Sequence, residues 1–138
     1  MGMSRDNATS LAQTAVRVAK VRVKEGRIGM WTMQAFELAE LRARQAAGEK
    51  LYLEFLRVPA LSMGLYVLPT GGTDPQKPHT EDEVYYVIAG RARFSCEGQV
   101  IPVQAGTTIY VAAGDEHRFH DIEEELTILV FFAPAEAE

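Results

Sequence analysis

After Lys50 the sequence breaks into eight short strand-like runs, and that rhythm narrows the possible folds more than any other feature. The runs are LYLEFLRV, LSMGLYVL, EVYYVIAG, RARFSC, QVIPV, TTIYVA, HRFHDI and LTILVFFA. β-Branched and aromatic residues dominate them, and such side chains suit a pleated, half-buried surface. Gly, Pro and Asp turns separate them at short intervals, the pattern of a β-sandwich or small barrel. Segments such as VYYVI and LTILVFF are apolar on both faces. One face would line a barrel; the other would pack on a second sheet, an N-terminal helix or a second subunit. That surplus of two-sided strands predicts an oligomer, with a homodimer as the first expectation.

The first 49 residues read differently. Residues 1–12 are polar and small, and a mobile tail is expected there. Val16, Val18, Val21 and Val23, followed by Glu25-Gly26, predict a strand, a turn and a second strand. Helix is the competing assignment for residues 10–20, and a leader upstream of Met30 or Met33 is the alternative reading of the whole segment. Residues 34–47 are rich in Ala, Leu, Glu and Arg, which predicts one short helix stopped by Gly48. The expected organisation is therefore an N-terminal extension over 1–49 and a β-barrel over 50–138.

Composition excludes several classes. A chain of 138 residues is long enough for one well-buried core. Residues 1–58 carry 10 Lys/Arg against 6 Asp/Glu, and the remainder 4 against 13, for a net charge of −5. The early positive charges are scattered, and a pI near 5.2 speaks against nucleic-acid binding. No apolar run approaches membrane-spanning length. The N-terminus shows no signal-peptide block, so a cytoplasmic address and no membrane partner are expected. The single cysteine, Cys96, rules out an intramolecular disulfide. A Gly-x-Ser-x-Gly elbow, a phosphate-cradling loop and a dinucleotide fingerprint are all missing from the sequence.

All three histidines fall in two stretches, GGTDPQKPHTEDEVYYVIAG (71–90) and GTTIYVAAGDEHRFHD (106–121). The first stretch holds Gly71, then Lys77-Pro78-His79, then Glu83 and Gly90. The second holds Gly106, then Ala112-Ala113-Gly114, then His117 and Asp121. In order and spacing these two stretches resemble the paired motifs of the cupin superfamily. Three identities depart from that pattern: Lys77 stands for the first motif histidine, Ala112 for a proline and Asp121 for an asparagine. The resemblance covers roughly residues 50–133.

The resemblance implies a mainly β fold, a double-stranded β-helix or jelly-roll barrel, here with one short N-terminal helix. It implies that extra N-terminal strands pair with a neighbouring subunit. It also implies that His79, Glu83 and His117 converge at the barrel mouth as a three-ligand face for a divalent metal. Fe, Mn, Ni and Zn all suit two imidazoles and a carboxylate. A small organic molecule would bind at the open positions, held only or turned over by metal-dependent oxygenation or isomerisation. A sensor or binding barrel, and a metal-free isomerase or epimerase using Lys77 or His79 as its base, are the rival readings.

Strand alternation extends the site. Lys77 and His79 should share a face. If Glu83 and His117 point inward, so should Tyr85 and Phe119, which makes those two candidate pocket walls, with Met63 and Phe131 behind them. Asp121, four residues past His117, should return to the inner face and orient a ligand histidine. His120 should face away. Three placements stay open for Lys77: turned to solvent, paired with Glu81 or Glu83, or buried as an acid/base or carboxylate anchor.

Overall fold

The computed structural model describes residues 16–19 and 33–137. The chain divides into two compact units, Met1–Glu49 and Lys50–Glu138.

In the first unit, strand β1 (Val16–Ala19) pairs antiparallel with β2 (Met33–Phe36), in the register Val16↔Phe36 to Ala19↔Met33. The partner of the valine segment is thus found in the same chain. Val21, Val23 and the Glu25-Gly26 turn lie outside the described residues. Helix α1 covers Leu38–Ala47 and not 34–47. Residues 34–36 were expected helical from composition, but the ladder to β1 claims their backbone groups, and pairing overrides a weak propensity. Gly48 does close the helix, in an extended conformation at φ −88°.

The second unit is the barrel. Its strands are β3 (Tyr52–Val58), β4 (Leu61–Leu68), β5 (Asp82–Cys96), β6 (Gln99–Gln104), β7 (Thr108–Val111) and β8 (His117–Ala133). Antiparallel pairing runs in the order β3-β4-β8-β5-β6, with β7 also on β5. The two long strands, β5 and β8, serve both halves of the barrel. Asp82–Val87 lies between β7 and the end of β8, whereas Arg91–Cys96 lies between β6 and its beginning. The ladder changes register three times between Val87 and Arg93, which is where the sheet bends. Gly90 sits at that bend with φ +100°, and a Cβ there would fall 2.2 Å from the Glu125 carbonyl oxygen. Only glycine fits.

Alternation then sorts the side chains. Tyr85, Val87 and Phe94 of β5 pack with Tyr66 and Leu68 of β4 and with Phe119, Leu126, Ile128, Val130 and Phe132 of β8 in one continuous core. Phe94 and Phe119 pack with ring centroids 4.7 Å apart, and Tyr85 meets Phe119 edge-on at 5.0 Å. These rings fill the interior beside His117, with the Tyr85 and Phe94 ring centroids 5.9 and 6.1 Å from its own.

Candidate metal centre

Glu83 and Tyr85 lie on the inner face of β5 because they are two residues apart, with the exposed Asp82 before them. His117 and Phe119 enter the barrel in the same way from the start of β8. His79 arrives from the irregular segment before β5, where its carbonyl accepts a 2.7 Å bond from Gly114 N–H. The ligand atoms of His79, Glu83 and His117 all lie within 4.8 Å of one another.

The local hydrogen bonds fix how those atoms point. His117 Nδ1 is 2.8 Å from the Asp115 carbonyl oxygen, which can only accept. The ring proton therefore sits on Nδ1 and the Nε2 lone pair faces the site. That Nε2 lies 2.9 Å from Glu83 Oε1 and 2.9 Å from the Tyr85 hydroxyl. Glu83 is 1% exposed, and neither of its oxygens receives a hydrogen bond of good geometry. Its approach to His117 is close in distance but poorly directed. Burial alone would pull the His117 pKa down, but the Glu83 carboxylate and the Asp115 carbonyl outweigh it, so the metal-free imidazole titrates above its ordinary value. Burial and the neighbouring Glu83 push the Tyr85 phenol well up, so it stays a hydrogen-bond donor.

A buried carboxylate without donors is costly. Two imidazole nitrogens and that carboxylate oxygen form an N2O set that a divalent transition metal would satisfy. The residues present fit such an ion.

Beside the triad lies an open cavity of about 730 Å³. Tyr52, Tyr66, Gln76, His79, Glu83 and Phe132 are among the residues that line it. The Tyr52 ring lies over Gly64, where a Cβ would come within 2.1 Å of it. His79 rests edge-on against Phe132, ring centroids 4.8 Å apart. Its Nδ1 faces Glu136 Oε1 at 3.6 Å. Glu136 comes from the segment after β8, which is tied down by several hydrogen bonds, Ala135 N–H to the Pro59 carbonyl at 3.4 Å among them. Glu136 N–H donates to Ser62 Oγ at 2.9 Å, Arg57 donates to the Glu136 carbonyl at 2.6 Å, and Ala137 N–H donates to Glu81 Oε1 at 3.0 Å.

Several expected positions fall elsewhere. Lys77 is exposed and outside the cavity lining. The alternation argument for Lys77 and His79 assumed a strand; the segment is irregular up to Thr80, so the period of two does not apply. Met63 and Phe131 are register partners, each one step out of phase with the lining residues Val130 and Phe132, and so lie on the opposite face. Phe119 is fully buried behind Tyr85 and supports it without lining the cavity. Asp121 has φ +48° and a side chain 68% exposed, hydrogen-bonded to His120 Nδ1 at 3.0 Å. The irregular ladder hands the inner position to Ile122 instead. His120 does face away, bonded to Ser95. The Ser95–His120–Asp121 row has the order of a nucleophile, base and orienter, but so exposed a carboxylate lacks the desolvation on which such a triad depends.

Sequence reasoning missed Asp74 and Glu136. Asp74 is 2% exposed and accepts four bonds: from Tyr66 OH (2.6 Å), Gln76 N–H (3.2 Å), Gln76 Nε2 (2.9 Å) and Phe119 N–H (3.0 Å). An aspartate in a Gly/Pro-rich loop reads as a turn residue, and no spacing rule marks it as a buried anchor.

Residues 64–132 match the family described as Cupin domain. The chain belongs to the cupin family. An uncharacterized protein of Streptomyces coelicolor is 49% identical to this cupin over 105 residues, which is 76% of this chain and 100% of that protein. The oxalate-binding protein of Thermotoga maritima is 27% identical over 104 residues, 75% of this chain and 73% of its own length. Among solved structures, a Cupin 2 conserved barrel domain protein from Salinispora arenicola superposes with a TM-score of 0.57 at 19% identity. That match covers 64% of this chain and 82% of the other. The jelly-roll barrel expected from the two motifs is the fold of this cupin. No helix among the described residues is long and apolar enough to cross a membrane.

Proposed function

We propose that this cupin holds one divalent transition metal through His79, Glu83 and His117 and binds a small organic molecule beside it in the barrel mouth. One observation carries the reading: the buried Glu83 carboxylate and the ring nitrogens of His79 and His117 converge within 4.8 Å of one another. A bound metal would supply a Lewis acid and an orienting template. The chain's own residues do the rest. Asp115 fixes the tautomer of His117, Phe132 and Glu136 hold the His79 ring, and Tyr52, Tyr66 and Phe132 wall the cavity.

A small carboxylate is the ligand class we favour. The likeness to an oxalate-binding protein supports it. Turnover by metal-dependent oxygenation or isomerisation is the second reading, supported by a three-ligand set, which leaves coordination positions open. Of the two bases considered for metal-free isomerisation, His79 lines the cavity and Lys77 does not. A homodimer belongs to the same proposal: Tyr86 and Tyr110 stand exposed on the outside of the barrel, as do Val100 and Ile101 on β6.

The test is metal analysis of protein purified without added metal, followed by calorimetric titration with oxalate before and after chelation. Near-stoichiometric metal and chelator-sensitive oxalate binding are expected, and NMR of the recovered ligand separates binding from turnover. Protein that takes up no divalent metal at any pH from 6 to 8 would sink the proposal.

A further inference from the structure

The cupin motif places a histidine where this chain has Lys77, and Lys77 is exposed. Its neighbour Gln76 occupies the site. Gln76 Nε2 donates to Asp74 Oδ2 at 2.9 Å. Asp74 as a carboxylate can only accept, so this bond settles which end of the amide is which. The oxygen must point the other way, into the cavity. There Gln76 Oε1 accepts a 2.8 Å bond from the Tyr85 hydroxyl and lies 3.2 Å from His79 Nε2. The Tyr85 hydroxyl is in turn 2.9 Å from His117 Nε2. Thus the amide oxygen stands among the atoms assigned to the metal, in an orientation imposed by a buried anchor behind it.

We infer that Gln76 is the fourth protein ligand, its amide oxygen taking the place of the missing motif histidine. The inference rests on the metal reading above. An amide carbonyl has two lone pairs, so Oε1 can keep the Tyr85 bond and still offer one to a cation. Neutral like the imidazole it replaces, it leaves the charge of the ligand set unchanged and adds an oxygen donor in place of a nitrogen. Asp74 acts as a positioning residue: its bonds to Tyr66 and Phe119 tie the amide to the barrel wall.

The test counts imidazoles around Cu(II) by pulsed EPR, in wild type, Gln76→His and Lys77→His. Wild type should show two. Gln76→His should show three, because an imidazole there can direct Nδ1–H at Asp74 and Nε2 at the ion. Lys77→His should remain at two. A count of two in Gln76→His, with wild type also at two, overturns the inference and leaves the metal reading intact. Wild type without two coordinated imidazoles sinks the metal reading itself. A third imidazole in Lys77→His instead would return the fourth position to residue 77. If Gln76→His does not fold, Gln76→Ala decides the matter through its Co(II) affinity and visible d–d spectrum. Loss of about tenfold or more in affinity, with a changed band, supports ligation. Unchanged affinity and spectrum overturn it.

Discussion

Tyr66 donates its hydroxyl to Asp74 across 2.6 Å, and through that one bond the inner wall of β4 holds the loop that carries Gln76 and His79. Burial and the Asp74 carboxylate both push the Tyr66 phenol well above its ordinary pKa, so it keeps the donated proton in alkaline solution. The loop has no strand pairing of its own between Thr73 and Pro78. Side-chain hydrogen bonds replace it.

Asp74→Ala should therefore do more than empty a loop position. It leaves the Tyr66 hydroxyl, the Phe119 amide and the Gln76 amide without their acceptor. A loss of about 2–4 kcal/mol in urea denaturation is expected, since each buried unpaired donor costs about 1–3 kcal/mol and some recover water. Tyr66→Phe should cost about 1 kcal/mol by the same rule. Equal effects from the two changes would contradict the anchoring role.

Replacing His79 or His117 with Ala should strip the metal and leave the barrel folded. Metal content and far-UV circular dichroism measured on one sample check both halves of that statement. Retained metal in both variants would remove the assignment of the triad.

Glu136→Gln should weaken metal affinity about tenfold, the scale of losing a carboxylate that orients a ligand histidine. Glu136 faces His79 Nδ1 and leaves Nε2 to the site. An unchanged affinity would reduce Glu136 to a structural group. Lys77→Ala, at an exposed position, should leave affinity as it was.

Acid should loosen the segment after β8. Glu81 accepts bonds from the Thr80 hydroxyl and from Ala137 N–H. Burial works to raise its pKa, but these bonds prevail and hold it below the ordinary value of 4.5. A depressed folded pKa means stability present above 4.5 and lost as pH falls through the lower folded value. Glu81→Gln should destabilise at pH 7, and the gap to wild type should close on acidification. A gap that is the same at both ends of the titration would refute this.

Gly90→Ala meets two obstacles, a left-handed φ and a Cβ 2.2 Å from the Glu125 carbonyl oxygen. Backbone atoms cannot swing aside as a side chain can. A cost of about 3 kcal/mol or more, or failure to fold, is expected. A soluble variant with wild-type melting temperature would show that the bend can be built without glycine.

The barrel was legible because its evidence is repeated. Each of the runs in residues 50–133 carries its own apolar pattern and turn, and Gly71, Gly90 and Gly106 fix the spacing between the two motifs. His79, Glu83 and His117 were legible for the same reason. The rest of the site was not, because alternation is a rule for strands. It held for Glu83 and Tyr85 on β5 and for His117 and Phe119 on β8. It misled at Lys77, in an irregular loop, and at Asp121, where the ladder breaks step. Gln76 is placed through Asp74, which is itself fixed by Phe119 far along the chain, and Glu136 is placed by distant Ser62. Such bonds leave no period in a sequence.

Glu83 is the second residue of β5 and His117 the first of β8, and the two strands run antiparallel. In the ladder Glu83 stands opposite Phe132 and His117 opposite Cys96, at the two far ends of the pairing. Their side chains nevertheless come within 2.9 Å, because the strand pair curls over at Gly90. An ion held by both would thus fasten the ribbon's ends like a clasp, and it could be gripped only after the curl had formed. Its binding free energy would then count as folding free energy. Removing the metal would then lower the melting temperature of a barrel that stays folded.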